Sequence, residues 1–579
     1  MRKAFFILAA TVGMLLLGLA SSRACTNFLV TPGASADGSS MVSYAADSHY
    51  LYGELYFWPA AVYPKGTLMK VYEWDTNRYM GQIPQAERTY QVVGNMNEHQ
   101  LLIGETTYGG LEHLVDTTAI VDYGTLIYTT LQRARTAREA IEVMATLVRD
   151  YGYASEGESF SIADPKEVWI LEMIGRGVEL KYNKKTKRQE NVNKGALWVA
   201  RRIPDGYVSG HANQARIQTF PLANGKTSIT DKQFKKLYNP EVTTVYVSDL
   251  ISFSKEKGYF KGADKDFSFS DIFNPVDFGA ARACEARVWT FFNRVASGME
   301  KYWNYAKGYD LSSRMPLWIK PSRKVTLQDV QEAMRDHFEG TELDMSKDFG
   351  AGPFACPYRW RPMNWKYEGK SYLHERCTAT QQTGFVFVGQ CRGWLPDPVG
   401  GVFWFGLDDA GGTVFNPIYC GIKRVPESIE RGNGSLLKYS KTSGFWLFNK
   451  VRNFTYLRYD VMQQDVRKEQ LRLENEYRAQ VLANDAKFAD LCRSNPDACR
   501  DALTAITLKN VANTMTCWEN LFEFLMVKYI DGNIKVEENG VFKHTKDSED
   551  IPVRVLNPEY PDWWKKALIE STGTQFEAR

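Results

Sequence analysis

From residue 25 onward the chain sets short apolar runs between turn signals. Thr26 to Val30 is followed by Pro32-Gly33 and Asp37-Gly38, then by Ser40 to Ala45, Leu55 to Trp58 and Leu68 to Trp74. Runs of this kind, bounded by Gly, Pro and Asp, predict strands. Tyr90 to Val93 and Leu101 to Thr106 flank the polar segment Asn95-Met96-Asn97-Glu98-His99, which predicts a hairpin. The period then changes. Thr136-Ala137-Arg138-Glu139 forms a capping box, in which hydroxyl and carboxylate each bond an otherwise unpaired backbone N–H. Ile141, Met144, Ala145 and Val148 follow at helical spacing and define one buried face. Tyr123, Leu126, Ile127 and Leu131 predict a preceding helix that packs alongside. Strands return at Ser159 to Ala163 and Val168 to Met173 around Asp164-Pro165-Lys166. Leu197 to Arg201 and Tyr207 to Gly210 repeat that pattern around Pro204-Asp205-Gly206.

Further on, a helix is predicted from Thr326, with Asp329 placed to cap it. Strands are predicted at Gly384 to Trp394 and Gly401 to Leu407, joined through Pro396-Asp397-Pro398. Residues 456–530 carry long helical periodicity and dense charge, the pattern of a helical appendage with a solvated face. The order strands, helices, strands predicts an α+β fold, with helices layered on stacked antiparallel sheets rather than a βαβ repeat. A chain of 579 residues exceeds one ordinary core. The expected divisions are a leader over 1–24, a main domain over 25–448 and a mainly helical extension over 449–579.

The leader carries its own signature. Met1-Arg2-Lys3 is basic, Phe5 to Leu19 is apolar, and Ser22-x-Ala24 offers the small residues of a cleavage site. The apolar run is shorter than the about 20 residues that a membrane span requires. Cleavage after Ala24, export, and a mature protein without a membrane span are therefore expected. A lipoprotein signal is the rival, and charged Arg23 two residues before Cys25 disfavours it. Arg2, Lys3 and Arg23 account for the whole net charge of +3, so the mature chain is balanced and no basic face for nucleic acid is expected. Neither a GxGxxG or Walker-type loop nor paired CxxC or HExxH ligands occur, so neither a nucleotide cofactor nor a metal is expected. Of the nine cysteines, Cys492 and Cys499 are the most plausible local disulfide in an exported protein. Oligomeric state is not legible.

The chemistry centres on Cys25. Cleaved after Ala24, the chain begins with a thiol and a free α-amine on one residue. A thiol titrates near 8.5 and an α-amine at about 7.7–8.0, so at neutral pH part of the amine is unprotonated and can take the thiol's proton. That pairing is an activated nucleophile with its own base. The bland alternative is a buried structural thiol or a disulfide partner.

Cys25-Thr26-Asn27-Phe28-Leu29-Val30, Asp37-Gly38-Ser39 and Asp47-Ser48 resemble the start of peptidase family C69. These are dipeptidases related to the penicillin V acylase and bile-salt hydrolase group of N-terminal-nucleophile hydrolases. The resemblance continues through Asn97-Glu98-His99, Gly104-Glu105-Thr106, Leu197 to Asp205, Ala212 to Ile217, Arg287-Val288-Trp289 and Gly389 to Asp397. It implies a four-layer αββα sandwich of two antiparallel sheets and hydrolysis of amide bonds in dipeptides or short peptides. It also implies roles: Cys25 as nucleophile, Asp47 near the amine, Asn213 toward the substrate or oxyanion, and Arg287 beside the thiolate. Plainer readings are a turn acid for Asp47, a turn residue for Asn213, a salt-bridge arginine for Arg287, and structural hydrogen-bonding for His49 and His211.

The chain departs from that pattern at two places. Tyr44-Ala45-Ala46-Asp47 stands where many relatives read Arg-Asn-Glu-Asp, which removes an arginine near the thiolate. Thr107 stands about where the bile-salt hydrolases place a second asparagine, which leaves a backbone N–H as the other oxyanion donor. An acylase for non-peptide amides on the same fold and a peptide- or glycan-binding surface lipoprotein are the alternative functions.

Overall fold

The opening strand Asn27–Val30 lies inside a seven-stranded sheet with all four of its residues buried. In the computed structural model, which describes residues 25–358 and 364–578, the leader predicted over 1–24 lies outside the described residues. Across this sheet the strands run Trp318–Ile319, Val208–His211, Asn27–Val30, Ser40–Asp47, Thr383–Cys391, Gly401–Leu407 and Asn416–Tyr419. Each neighbouring pair is antiparallel. Ser40–Asp47 and Thr383–Cys391 are buried at every position, so both of their faces are covered.

A nine-stranded sheet holds Leu102–Gly109, Gly157–Ala163, Val168–Gly175 and Ala196–Arg202 as its central ladder. It is antiparallel apart from the parallel pair Ser228–Thr230 and Thr244–Tyr246 at one edge. The two sheets face each other closely. A Cβ on Gly389 would lie 2.4 Å from Leu102, and one on Gly104 would lie 2.5 Å from the Asn27 amide. Both positions therefore exclude larger residues. His211 ties the layers with its ring, Nδ1 lying 2.8 Å from Thr106 Oγ1 and Nε2 2.7 Å from Ser161 Oγ.

Helices Tyr123–Leu131 and Ala137–Tyr151 pack together, and the second lies against the nine-stranded sheet. Its Ile141, Met144, Ala145 and Val148 are buried as the spacing predicts, and each larger one contributes about 1.5–3 kcal/mol by leaving water. Thr136 caps it by accepting from the Glu139 N–H, but the Glu139 carboxylate bonds the Arg135 N–H instead of closing the box on Thr136. At Thr326 the box is complete with Asp329. Helices Ala286–Val295 and Leu327–Ala333 pack on the seven-stranded sheet.

The strands expected at Leu197 to Arg201 and Tyr207 to Gly210 are present but do not pair with each other, because Ala196–Arg202 belongs to the nine-stranded sheet and Val208–His211 to the seven-stranded one. The intervening Pro204-Asp205-Gly206 turn carries the chain between layers, and Asp205 accepts from the Gly33 N–H there. The polar segment 95–99 is no simple hairpin loop, since Met96–Asn97 is itself a strand, paired with Val92–Val93 and, through Met96, with Leu102. Asn97 is polar for an internal reason: its amide donates to the Leu131 carbonyl at the end of helix Tyr123–Leu131 and to the Ala134 carbonyl just beyond it.

The predicted helical stretch is a pair of long helices, Tyr459–Ser494 and Pro496–Tyr529, joined at Asn495, whose side chain caps the second. Cys492 and Cys499 form the disulfide expected across this turn. The pair is not solvated all round. Glu474 is buried and bonds Arg335 and the Phe415 N–H, and Asp485 forms an ion pair with buried Arg392. No helix among the described residues is long and apolar enough to cross a membrane.

Removing one partner of a buried ion pair leaves an uncompensated charge. Glu474→Ala is expected to lower stability by about 3–5 kcal/mol. A denaturant titration reads this, and a change below about 1 kcal/mol would mean that the helix pair is not held by this contact.

His211 gives a second expectation. Burial, with help from Arg216, lowers its pKa from 6.5 to about 3. The unfolded chain therefore binds the extra proton, so this group's contribution to stability is complete above pH 6.5 and is lost as pH falls from there toward 3. Between pH 7 and pH 5 the loss is about 2 kcal/mol. Ring NMR shifts of the folded protein should report a neutral His211 at pH 5, and a ring titrating near its ordinary value would contradict this.

Candidate active site

Cys25 stands at the mouth of the opening strand, where Thr26 exchanges backbone hydrogen bonds with Ala45 of the neighbouring strand. Its thiol is buried and faces a cavity of about 40 Å³ also lined by Tyr44, Asp47, Glu105, Thr107 and Tyr123. Sγ lies 3.5 Å from the Tyr44 hydroxyl and 3.7 Å from Glu105 Oε1, and the Tyr44 hydroxyl donates to that same carboxylate oxygen. Burial pushes the thiol pKa well up, and the carboxylates of Glu105 and Asp47 push the same way. The Asp47 main-chain N–H and the Tyr44 hydroxyl oppose them. The resting sulfur is therefore a thiol, and attack requires a proton acceptor in contact with it.

Arg287 projects from helix Ala286–Val295 into the heart of the site and is 1% exposed. Its Nη1 donates to the Cys25 carbonyl and to Thr26 Oγ1, both at 2.7 Å, and its Nη2 to Asn213 Oδ1 at 2.9 Å and the Ala212 carbonyl at 3.2 Å. Its Nε donates to the Ala283 carbonyl at 2.7 Å. Burial, with Arg376 next, lowers its pKa to about 10, which leaves it charged at neutral pH. The expected neighbourhood is present, but the guanidinium grips the Cys25 backbone rather than the sulfur. What it fixes is position.

Asn213 follows the strand Val208–His211 at φ 60°, a left-handed conformation that asparagine tolerates better than most residues. Its Nδ2 donates to the Thr107 carbonyl at 2.7 Å, which leaves the amide's other hydrogen available to a ligand. Thr107 forms part of the cavity wall, and Asn213 lies behind it. Asp47 is buried at the end of Ser40–Asp47, with Oδ2 2.5 Å from Arg376 Nη2 and Oδ1 accepting from Thr383 Oγ1 at 2.6 Å. Burial raises its pKa while Arg376 opposes the rise. The carboxylate expected to serve the amine is thus engaged by an arginine. His211 is a neutral inter-sheet link, and neither it nor His49 lines the cavity.

Three residues of the site carry no role in the sequence reading. Arg376 precedes the strand Thr383–Cys391 and is remote in sequence from Asp47, with no motif to mark it. Tyr44 stands within the segment where the arginine of the relatives is missing. Glu105 lies inside the Gly104-Glu105-Thr106 motif, on a strand buried continuously from Leu102 to Tyr108, where a carboxylate is the anomaly. Beyond the thiol's cavity a wider cleft of about 530 Å³ opens, sharing Ser48, Leu51, Trp74, Asp75 and Tyr128 with it and reaching Glu54 and Arg431. Among the described residues no cluster of three or more His, Cys, Asp or Glu is placed to hold a metal ion.

The model of peptidase family C69 matches residues 54–472. That match begins downstream of Cys25, so it bears on the family and not on the nucleophile. The chain is similar to a probable dipeptidase of Salmonella dublin, 22% identical over 441 residues that cover 72% of this chain and 86% of that protein. It is similar to probable dipeptidase B of Lactococcus lactis subsp. lactis (strain IL1403), 25% identical over 326 residues, which amount to 56% of this chain and 55% of the relative. A probable dipeptidase A of Streptococcus pyogenes serotype M3 is 24% identical over 431 residues, 70% of this chain and 77% of that one. With the family model matching more than half of its length, the chain belongs to peptidase family C69.

Proposed function

We propose that this peptidase is an exported, cysteine-type N-terminal-nucleophile hydrolase that cleaves dipeptides or short peptides through a thioester. The observation that carries this reading is the placement of the Cys25 thiol in a cavity, with its carbonyl held by the same guanidinium that holds Asn213. After removal of residues 1–24, the Cys25 amine takes the thiol proton, directly or through one water. The thiolate attacks the peptide carbonyl. Asn213 Nδ2 and a backbone N–H stabilise the oxyanion, and the protonated amine returns its proton to the leaving amine. Water then releases the acyl group by the same relay. Tyr44 and the Asp47 N–H support the thiolate in the place of the arginine that relatives carry.

Two facing antiparallel sheets with helices packed on them support the four-layer αββα arrangement of this hydrolase class, with a catalytic domain over 25–448 and a helical extension over 449–579. The extension's Glu474 and Asp485 anchor it to that domain. A carboxylate beside the thiol suits an amine-bearing acyl group better than the hydrocarbon acyl groups of non-peptide acylases.

Cys25→Ala is expected to abolish dipeptide hydrolysis with the fold intact by circular dichroism, and Cys25→Ser to keep only weak turnover. A protein that retains one residue before Cys25 should be inactive as well. Full activity of the Ala variant would end the proposal, and full activity of the extended protein would remove the amine as base.

A further inference from the structure

Glu105 is 2% exposed, and only one of its carboxylate oxygens is engaged: Oε1 accepts from the Tyr44 hydroxyl and the Cys25 thiol, whereas Oε2 is buried with no hydrogen-bond partner among the described residues. A buried carboxylate oxygen left unsatisfied is costly unless something fills that role. The residue lines the same small cavity as the nucleophile. Among the described residues that line it, none is Lys, Arg or His, while Asp47 and Asp75 add acidity and Trp74, Tyr123 and Tyr128 add aromatic faces. Asp47 already has Arg376 as its counter-charge. Acid and aromatic rings together suit an ammonium group.

Resting on the hydrolase reading above, we propose that Glu105 Oε2 anchors the α-ammonium of the substrate residue whose carbonyl Cys25 attacks. The enzyme therefore requires a free α-amine and cuts after the first residue.

The geometry selects that particular amine. An α-nitrogen lies about 2.5 Å from its own carbonyl carbon by standard bond lengths and angles. A carbonyl carbon at attack distance, about 3–3.5 Å from sulfur, thus keeps its ammonium within reach of a carboxylate whose nearer oxygen is 3.7 Å from that sulfur. A peptide extended at its N-terminus would place a neutral amide and more chain there, in a cavity of about 40 Å³ that has no room for them. Side chains and the leaving residue point instead to the wider cleft of about 530 Å³. Substrate binding also changes the nucleophile's surroundings: an ammonium on Glu105 offsets one of the two carboxylates that hold the thiol in its protonated form.

The test compares alanylalanine, N-acetyl-alanylalanine and propionyl-alanine, which lacks only the amine, on the mature wild-type protein and on Glu105→Gln. Wild type should favour alanylalanine over both others by roughly 100-fold in kcat/KM, the size of a lost charged hydrogen bond. Glu105→Gln should lose about that factor on alanylalanine, chiefly through KM, so that its preference for alanylalanine over propionyl-alanine largely collapses. The wild-type comparison stands even if the variant does not fold. Equal wild-type turnover of alanylalanine and propionyl-alanine overturns the inference. So does a Glu105→Gln loss of equal size on both substrates, which would assign the carboxylate to the protein's own amine or thiol. Cys25-dependent turnover that ignores the substrate amine overturns this inference alone, whereas absence of turnover on all three substrates overturns the hydrolase reading with it.

Discussion

One buried guanidinium joins the parts of the site that come from distant stretches of chain. Arg287 reaches the Cys25 carbonyl, the Thr26 hydroxyl, the Ala212 carbonyl and the Asn213 side chain, and its Nε closes on Ala283 within its own helical segment. A charge buried this deeply persists only where its donors are met, and here all five N–H groups have acceptors. The consequence is positional. The start of the first strand, the turn after Val208–His211 and helix Ala286–Val295 are held in one relation, which fixes Cys25 relative to Asn213. On the proposed mechanism, such pre-set geometry lets a buried thiol act as the nucleophile.

The electrostatics around the sulfur run the other way. Glu105 and Asp47 disfavour the thiolate, and burial adds to them. Cysteine hydrolases usually surround the sulfur with positive charge. Here Arg376 is paired with Asp47, and Arg287 with carbonyls and an amide. On the proposed mechanism, positive charge near the sulfur arrives with the chemistry, as the protonated N-terminal amine and as the substrate's own ammonium. An acidic pocket of this kind, neutralised by its substrate as proposed, would protect the thiol from adventitious attack.

Much of the fold was legible because the periodicity is strong. The capped helix after Thr136, the box at Thr326, the strands before and after Asp164-Pro165-Lys166 and the 492–499 disulfide all lie where local pattern puts them. The failures have a common cause, which is that local signals do not state which layer a segment joins. Pro204-Asp205-Gly206 reads as a turn whether its two strands share a sheet or cross between sheets. Asn97 reads as loop because its polarity serves carbonyls at and just beyond a helix end. Within the site, Cys25, Asp47, Asn213 and Arg287 converge, since the family resemblance carries long-range information that spacing lacks. Arg376 and the Glu105–Tyr44 pair were invisible for the complementary reason: their meaning depends on contacts between strands remote in sequence, and a lone arginine or tyrosine has no periodic signature.

The central claim is that the Cys25 sulfur carries the acyl group between the two halves of the reaction. Rapid acid quench of the mature protein during dipeptide turnover, followed by mass spectrometry of the N-terminal peptide, tests it most directly. The account predicts a peptide that begins at Cys25 and bears one hydroxylamine-labile aminoacyl group on sulfur. An unmodified Cys25 under conditions of saturating turnover, or an acyl group on another residue, would contradict it.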